Sequence, residues 1–501
     1  MSPEVIVLIS VAAFIILILL EVPVGISIGV AGIFGIVLLN GTLVAGRVLA
    51  TAPYTATAKY ALVVIPMYIL LGTLIANAGI GAGIYRAVNR VVRRLPGGLG
   101  AAAVIATALF SGISGSSAAD VATFGRISVN EMTRHGYSKE YAAAVVAAAG
   151  TFAALIPPSV TLVIYAIIAD LNVGAMIVAG VIPGALSAII LVGVVIGRAV
   201  VGGSSVGGRR DPTLSDSLST AFENAASGTT AVSGPTTVSG TTAVADTTAV
   251  SGTTAVSGTS AVSGTSTGGA TLQTRAQQNR ADALAILYAV IIFGIVVGGL
   301  YGGIFTATES GAVGALAALV IALVARRSRE MTVTELMLRS LRETASVTAM
   351  IFLLLVGGAI FAVLVASSGI PADLTRWASD LPVPPWVIVA IFLIVLLVLG
   401  TFLDGLSTML LTVPLMAPVV DGLGFEGVWF GVLVLKAIEI GLITPPVGIN
   451  AFIISGLAKV PVWPVFKRLA PFVLLDIAVT VLFFVFPDIV LWMPRAAELV
   501  P

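Results

Sequence analysis

SGISGSSAAD, Ser111–Asp120, sets four serines, two glycines and an aspartate within ten residues of an otherwise apolar run. A backbone that turns inside lipid leaves carbonyls and N–H groups without helical partners, which is tolerable only where protein or a polar cavity encloses them. Gly112 and Gly115 permit such a turn, Ser114, Ser116 and Ser117 offer hydroxyls, and Asp120 falls just inside the returning segment. An unpaired carboxylate at that depth costs roughly 3 kcal/mol on insertion scales. A cation or a substrate donor is therefore expected beside it. The stretch reads as the tip of a hairpin over 98–133 that enters and leaves the bilayer on one side. A lone Ser-Gly cluster also serves as packing between membrane helices, so the choice rests on whether the pattern recurs.

It does recur. LIPPSV (Leu155–Val160) and ITPPVG (Ile443–Gly448) lie 288 positions apart, and the same offset carries Pro183 onto Pro471 and Glu21 onto Glu309. Ser114-Gly115 meets Asp404-Gly405 at an offset of 290. The first half predicts spans near 3–20, 24–41 and 61–80, the hairpin 98–133, a broken helix at 140–169 and a span at 175–197. The second predicts 283–300, 303–325 and 344–366, a hairpin at 386–420, a broken helix at 428–457 and a span at 470–487. The polar stretches 47–58 and 331–343 are candidates for amphipathic helices along the interface. An odd number of spans per half inserts the second half the other way up. The expected fold is an all-α polytopic membrane protein, an inverted repeat of 1–200 and 281–501 with about ten transmembrane helices and two re-entrant hairpins. That is an architecture of secondary transporters.

Composition agrees. The chain of 501 residues is 58% hydrophobic and 10% charged, with a mean hydropathy of +1.11, and no soluble domain solvates such a surface. Its apolar runs, about 18–25 residues long, suit helices rather than barrel strands. The first run lacks a basic lead and a small-residue cleavage signal, so it reads as a retained span. There is no cysteine and one histidine, His135, which excludes disulfides, cysteine zinc sites and thiol nucleophiles. No phosphate-cradling glycine loop occurs, and a net charge of +1 gives no reason for a nucleic-acid partner. Residues 201–280 carry a degenerate SGTTAV repeat too poor in apolar bulk to fold, a flexible linker without chemistry. Most of the 25 lysines and arginines fall on the linker's side of the predicted spans, with Arg47, Lys59, Arg376 and Arg495 opposite. The positive-inside rule then makes the linker cytoplasmic and the C-terminus external.

At Ile156-Pro157-Pro158 the prolines withhold N–H donors and free carbonyls of the preceding turn, those of Ala153 and Ile156 among them. Gly441 and Thr444 hold the equivalent places before Pro445-Pro446. Bare carbonyls and hydroxyls without thiolates suit a hard monovalent ion. Asp120, Asp404, Glu309 and Glu439 are intramembrane acids, costly enough to be read as functional. Thr161 and Asn450, just past the two breaks, either line the cavity or pack. Lys436 is the one basic residue inside a span.

The runs SGSSAADVATFG (Ser114–Gly125), IPPS (Ile156–Ser159), GGIFTATESGAVGA (Gly302–Ala315) and LITPPVGINAF (Leu442–Phe452) resemble the large membrane (M) subunit of tripartite ATP-independent periplasmic (TRAP) transporters. The likeness spans both halves, about 1–200 and 280–495, and only the linker departs from it. It implies sodium-coupled import of organic acids (C4-dicarboxylates, sialic or other sugar acids) across the prokaryotic inner membrane by an elevator mechanism. An extracytoplasmic solute-binding protein of P type delivers the substrate, and a small membrane subunit of Q type, not fused here, buttresses the scaffold. Carried over by motif, one sodium site uses Ser114, Ser116, Ala153, Ile156 and Pro158; alanine stands at 153 where the family often has glycine. A second uses Asp404, Leu406, Gly441, Thr444 and Pro446. Asp120 faces the substrate cavity, with Ser117, Thr161 and Asn450 as further substrate-binding candidates. No cofactor beyond Na+ is expected. Two alternatives stand beside this reading: a stand-alone elevator carrier for citrate-like anions, and an intramembrane serine protease of rhomboid type. The protease reading rests on Gly112-Ile113-Ser114-Gly115 and would require His135 as base.

Overall fold

The computed structural model describes residues 2–201, 275–325 and 332–500; these are helical, with no strand among them. The low-complexity segment expected at 201–280 lies outside the described residues from 202 to 274. The first half comprises α1 (Pro3–Leu19), α2 (Val24–Asn40), α3 (Thr42–Thr57), α4 (Val64–Asn77), α5 (Ile80–Val92), α6 (Gly98–Ser114), α7 (Ser117–Arg134), α8 (Lys139–Gly150), α9 (Val160–Ile168), α10 (Val173–Ala179) and α11 (Val181–Val201). The second comprises α12 (Arg275–Phe293), α13 (Ala307–Ala325), α14 (Val333–Ser368), α15 (Ile370–Asp380), α16 (Pro385–Phe402), α17 (Gly405–Gly422), α18 (Gly427–Leu442), α19 (Ile449–Ala458), α20 (Val462–Val485) and α21 (Asp488–Ala496). Among the described residues eight helical segments are long and apolar enough to cross a membrane, with α1 and α2 among the shorter apolar helices.

The order of elements repeats, and the two copies exchange partners. In the first half α2 packs against α14; in the second α13, the counterpart of α2, packs against α4. Glycine makes the α2–α14 crossing possible. A Cβ at Gly357 would stand 2.2 Å from the Gly25 carbonyl oxygen, and one at Gly25 would stand 2.9 Å from the Leu353 carbonyl carbon. Backbones this close gain dispersion contacts that lipid cannot supply, the basis of small-residue crossings in membranes. The repeat reaches further than the motifs. Gly79 and Gly369, 290 positions apart, both take left-handed backbone and both start a short helix, α5 and α15.

Two features differ from the sequence expectation. Of the stretch expected at 331–343, the described residues do not lie apart along the interface; from Val333 they are the first turns of the 36-residue α14. No glycine or proline stands between Thr332 and Gly357 to end that helix. The stretch 47–58 does form its own helix within α3, with Pro53 inside it. Glu309 is no cavity residue: its carboxylate accepts from the Thr306 N–H at 2.8 Å and hydroxyl at 2.9 Å, a capping box at the start of α13. The arginine-bearing 80–92 is helical too. Arg86 Nε and Arg90 Nη2 donate to the two oxygens of buried Asp282 at 2.8 and 2.9 Å, fastening α5 to α12 across the halves.

The Gly25–Gly357 crossing sets the spacing of the scaffold. Gly357→Val overpacks it at a cost of about 1–3 kcal/mol, so the thermal unfolding midpoint of the purified protein should drop by several degrees. A midpoint unchanged from wild type would contradict the close backbone approach.

Candidate functional site

Each hairpin rests on the broken helix of its own half. The arms α6 and α7 are joined through Gly115 and Ser116 and held by an edge-to-face contact of Phe110 and Phe124, 5.3 Å between ring centres. Gly115 has φ +61°, so a side chain there would be strained. Gly112 and Gly115 lie directly on the first break: a Cβ at Gly112 would meet the Pro157 carbonyl oxygen at 2.8 Å, and one at Gly115 the Val160 nitrogen at 3.3 Å. Because the break falls midway between Lys139 and Ile168, the tip ends inside the bundle and the hairpin is re-entrant. In the second half the Gly400 and Gly441 backbones meet back to back, a Cβ at Gly441 standing 2.6 Å from the Gly400 carbonyl carbon. The Gly448 N–H donates to the Thr401 carbonyl at 3.1 Å, which ties the second break to its hairpin. Both breaks contain a cis peptide, Pro157-Pro158 and Pro445-Pro446.

The helices past the breaks cross over. α9 packs against α17, the return arm of the second hairpin, and α19 packs against α7, the return arm of the first. Two hairpin tips and two breaks thus close around one centre.

Of the residues expected at the first ion, those of the tip lie beside the first break. Ser114 and Ser116 stand at the tip against Pro158, with buried Ala153 and half-buried Ile156 on the turn before it. The residues of the second set lie on two neighbouring elements, the start of α17 and α18 with its break; a Cβ at Gly405 would meet the Ile438 side chain at 3.3 Å. Asp404 caps α17, accepting from the Leu406 and Ser407 N–H groups at 3.1 and 3.2 Å and from the Ser407 hydroxyl. Gly441 already has its carbonyl engaged by the Thr444 N–H at 3.0 Å, and the Thr444 hydroxyl donates to the Ile440 carbonyl at 2.6 Å. Pro446 is exposed.

The four substrate candidates are placed differently from one another. Asp120 is fully buried, and its two carboxylate oxygens accept from the Ser111 and Ser114 hydroxyls of its own hairpin. Ser117 bridges the halves: its hydroxyl donates to Glu439 on α18 at 2.7 Å. Thr161 is half-buried in the first turn of α9. Asn450 is buried in the first turn of α19, its amide nitrogen without a hydrogen-bond partner among the described residues.

Sequence reasoning missed Asp476. Buried Lys436 forms an ion pair with it, linking α18 to α20. The other oxygen of Asp476 and the hydroxyl of Ser187 have no partner among the described residues, and both residues line a small cavity beside Thr151 and Ile443. An acid inside the apolar run Phe472–Phe483, in a chain with one in-span lysine, was the available signal. His135 follows the last residue of α7, at the opposite end from Ser114. The 18 residues of that helix separate the two by ~27 Å at 1.5 Å per residue. Ser114 therefore has no imidazole base within reach, and the protease reading fails on geometry.

The chain resembles known proteins along most of its length. The family model described as "Tripartite ATP-independent periplasmic transporter, DctM component" matches residues 11–489. A Pseudomonas aeruginosa protein named C4-dicarboxylate TRAP transporter large permease protein DctM is 28% identical, over 94% of this chain and 94% of its own length. A Vibrio cholerae protein named sialic acid TRAP transporter large permease protein SiaM is 26% identical, over 94% of this chain and 95% of its own. Among solved structures, the crystal structure of the YdaH transporter of Alcanivorax borkumensis is similar in fold at 14% identity, with a TM-score of 0.57 over 89% of this chain and 90% of that one.

Exposure differs sharply along the tip. Ser116 is exposed and Ser111 fully buried, and the chain has no native cysteine to confuse labelling. A membrane-impermeant maleimide should modify Ser116→Cys and leave Ser111→Cys unmodified. Failure to label position 116 from either side of the membrane would put the tip in lipid rather than at a wet cavity.

Proposed function

The chain belongs to the DctM component family of tripartite ATP-independent periplasmic transporters, and we propose that it is the large permease subunit of a sodium-coupled importer of organic acids in a prokaryotic inner membrane. The observation that carries this reading is the crossed assembly: two polar hairpin tips on two proline breaks, each post-break helix seated on the other half's hairpin. Backbone freed by the breaks and hydroxyls at the tips give small oxygen-lined sites suited to a hard monovalent cation. One sodium sits among Ser114, Ser116, Ala153, Ile156 and Pro158. A second sits among Asp404, Leu406, Gly441, Thr444 and Pro446. Asp120 acts on the first through Ser114, whose hydroxyl it orients, and its buried charge favours a cation at the tip.

The substrate lies between the tips, where the Asn450 amide nitrogen, unpartnered among the described residues, and the Thr161 hydroxyl offer donors and the Ser117 hydroxyl oxygen, its proton given to Glu439, can accept. Relatives named for C4-dicarboxylates and sialic acid support an organic acid as cargo. Hairpins and broken helices move as a unit against a scaffold of α1–α4 and α12–α14. A separate small membrane subunit supports that scaffold, and an extracytoplasmic solute-binding protein delivers the acid, as the family's tripartite description suggests.

The test is uptake of labelled C4-dicarboxylates and sialic acid into vesicles carrying the complete complex, with the binding protein outside. An inward sodium gradient should drive accumulation, and substituting potassium should reduce it to background; equal uptake in potassium removes sodium as the coupling ion. Omitting the binding protein should abolish uptake, whereas a stand-alone carrier would keep it. Asp120→Asn should lower uptake at least about tenfold, the ~1.4 kcal/mol of one lost charge-assisted contact, with elution profile and thermal midpoint unchanged. Wild-type transport by that variant would strike Asp120 from the site.

A further inference from the structure

Where the chain leaves the bundle at the end of α11, cationic side chains gather without acids to meet them. Arg198, in the last turn of α11, lies over the rings of Tyr141 on α8 and Phe472 on α20, 5.9 and 5.7 Å from their centres. Ring faces attract a guanidinium but leave its charge whole. Lys467 and Arg468 are exposed on α20, Arg468 one turn before Phe472 on the same face. Among the described residues no hydrogen bond or ion pair engages Arg198 or Arg468. The elements packed on α11 hold three acids. Asp476 is paired with Lys436 and Asp488 with Arg495, while Glu140, next to Lys139 at the start of α8, forms no ion pair among the described residues. Tyr141 is 1% exposed, and its hydroxyl also lacks a partner among those residues.

The same rim faces lipid. Val200 and Val201 beside Arg198 are 63% and 89% exposed, and Trp463, in the first turn of α20, is 59% exposed. Exposed tryptophan and valine next to arginine mark headgroup depth, where indoles anchor and guanidinium groups snorkel. Gly193 and Gly197, four positions apart on α11, would each carry a Cβ with nothing within 4 Å. They leave a shallow lane along that helix, ending beside Arg198. We infer that Arg198 and Arg468 bind the phosphodiester head group of one anionic phospholipid, with an acyl chain lying along Gly193 and Gly197. The phosphate supplies the negative charge that the protein withholds, and the arginine fork matches two of its oxygens. A headgroup oxygen, directly or through one water, gives the Tyr141 hydroxyl an acceptor. The lipid thereby joins α8 and α11 of the first half to α20 of the second.

Native mass spectrometry of the purified full-length chain in detergent, titrated with phosphatidylglycerol or with phosphatidylcholine of the same acyl chains, tests this. Wild type is expected to bind one phosphatidylglycerol in a tight first step that phosphatidylcholine does not reproduce. Arg468→Gln, at an exposed position that leaves the ring cluster in place, should weaken that step roughly fivefold, and adding Arg198→Gln should weaken it by a further factor of about five. Arg126→Gln/Arg342→Gln removes two other exposed arginines, on α7 and α14, and should leave the step unchanged. If the variant at Arg198 does not fold, Arg468→Gln alone decides. Equal weakening by the Arg126/Arg342 pair means diffuse attraction to basic side chains and overturns the inference, as does a wild-type chain that binds the two lipids alike. Displacement of phosphatidylglycerol by equimolar glycerol 3-phosphate would assign the site to a soluble phosphate and also overturn it. No substrate, sodium or partner protein enters the measurement, so its failure and that of the import reading are separate results.

Discussion

Every peptide group inside a bilayer must find a partner within the protein, and this chain breaks that rule's simplest solution four times, at two hairpin tips and two proline pairs. Each interruption leaves main-chain oxygens and N–H groups that lipid would penalise by several kcal/mol. The structure answers by setting interruptions against one another: Gly115 on the Pro158–Val160 turn, Gly400 on Gly441. Residues without side chains are needed there because the surfaces that meet are backbone. Even at Gly448, past the second break, the N–H is returned to a hairpin carbonyl, that of Thr401. Of the buried side-chain groups without a partner among the described residues, Glu439 and Asn450 lie within two residues of the second break's ends at Gly441 and Gly448. A polar centre is thus a consequence of enclosing the breaks and not an addition to them.

That logic was legible in the sequence because it depends on residue types with few roles. Paired prolines at a fixed offset and glycines flanking serines locate the breaks and tips to within a residue or two: the expected hairpin 98–133 is Gly98–Ser114 with Ser117–Arg134. The amphipathic helices α5, α15 and α21 were not legible, since arginines and aspartates within them resemble loop chemistry until a helical face is packed. Nor could the sequence pair Lys436 with Asp476, 40 positions apart on neighbouring helices, because nothing local says which acid a buried lysine meets. Glu309 shows the converse. Thr306 and Glu309 spell a capping box three residues apart, yet an acid inside an apolar stretch invited a functional reading first.

Burial sorts the acids by what each has available. Asp120 takes two hydroxyls from its own hairpin and Asp404 two N–H groups and a hydroxyl from its own helix, so both are held by short-range partners. Glu439 and Asp476 are different: each is bonded across an interface, to Ser117 on α7 and to Lys436 on α18. Breaking a buried charged pair by removing one partner costs about 3–5 kcal/mol. The first two acids are therefore internal to their hairpins, while the latter two fix how the hairpin, the broken helix and α20 sit against one another.

This division bears on how an inverted repeat acquires a direction. Equal halves give equal backbone sites, and a purely symmetric centre would hold its contents identically from either side. Here the symmetry is confined to the backbone. Serine stands where the other half has aspartate at the tip, and Ala148, Thr151 and Ala188 stand where it has Lys436, Glu439 and Asp476. Lys436, Glu439 and Asp476 thus match neutral positions in the first half, while Asp120 of the first half matches neutral Thr408 at the same offset, so charge is unevenly placed about the repeat. A charged molecule between the tips would meet unequal potentials on its two sides. The asymmetry comes from side chains, while the backbone repeat supplies the common frame.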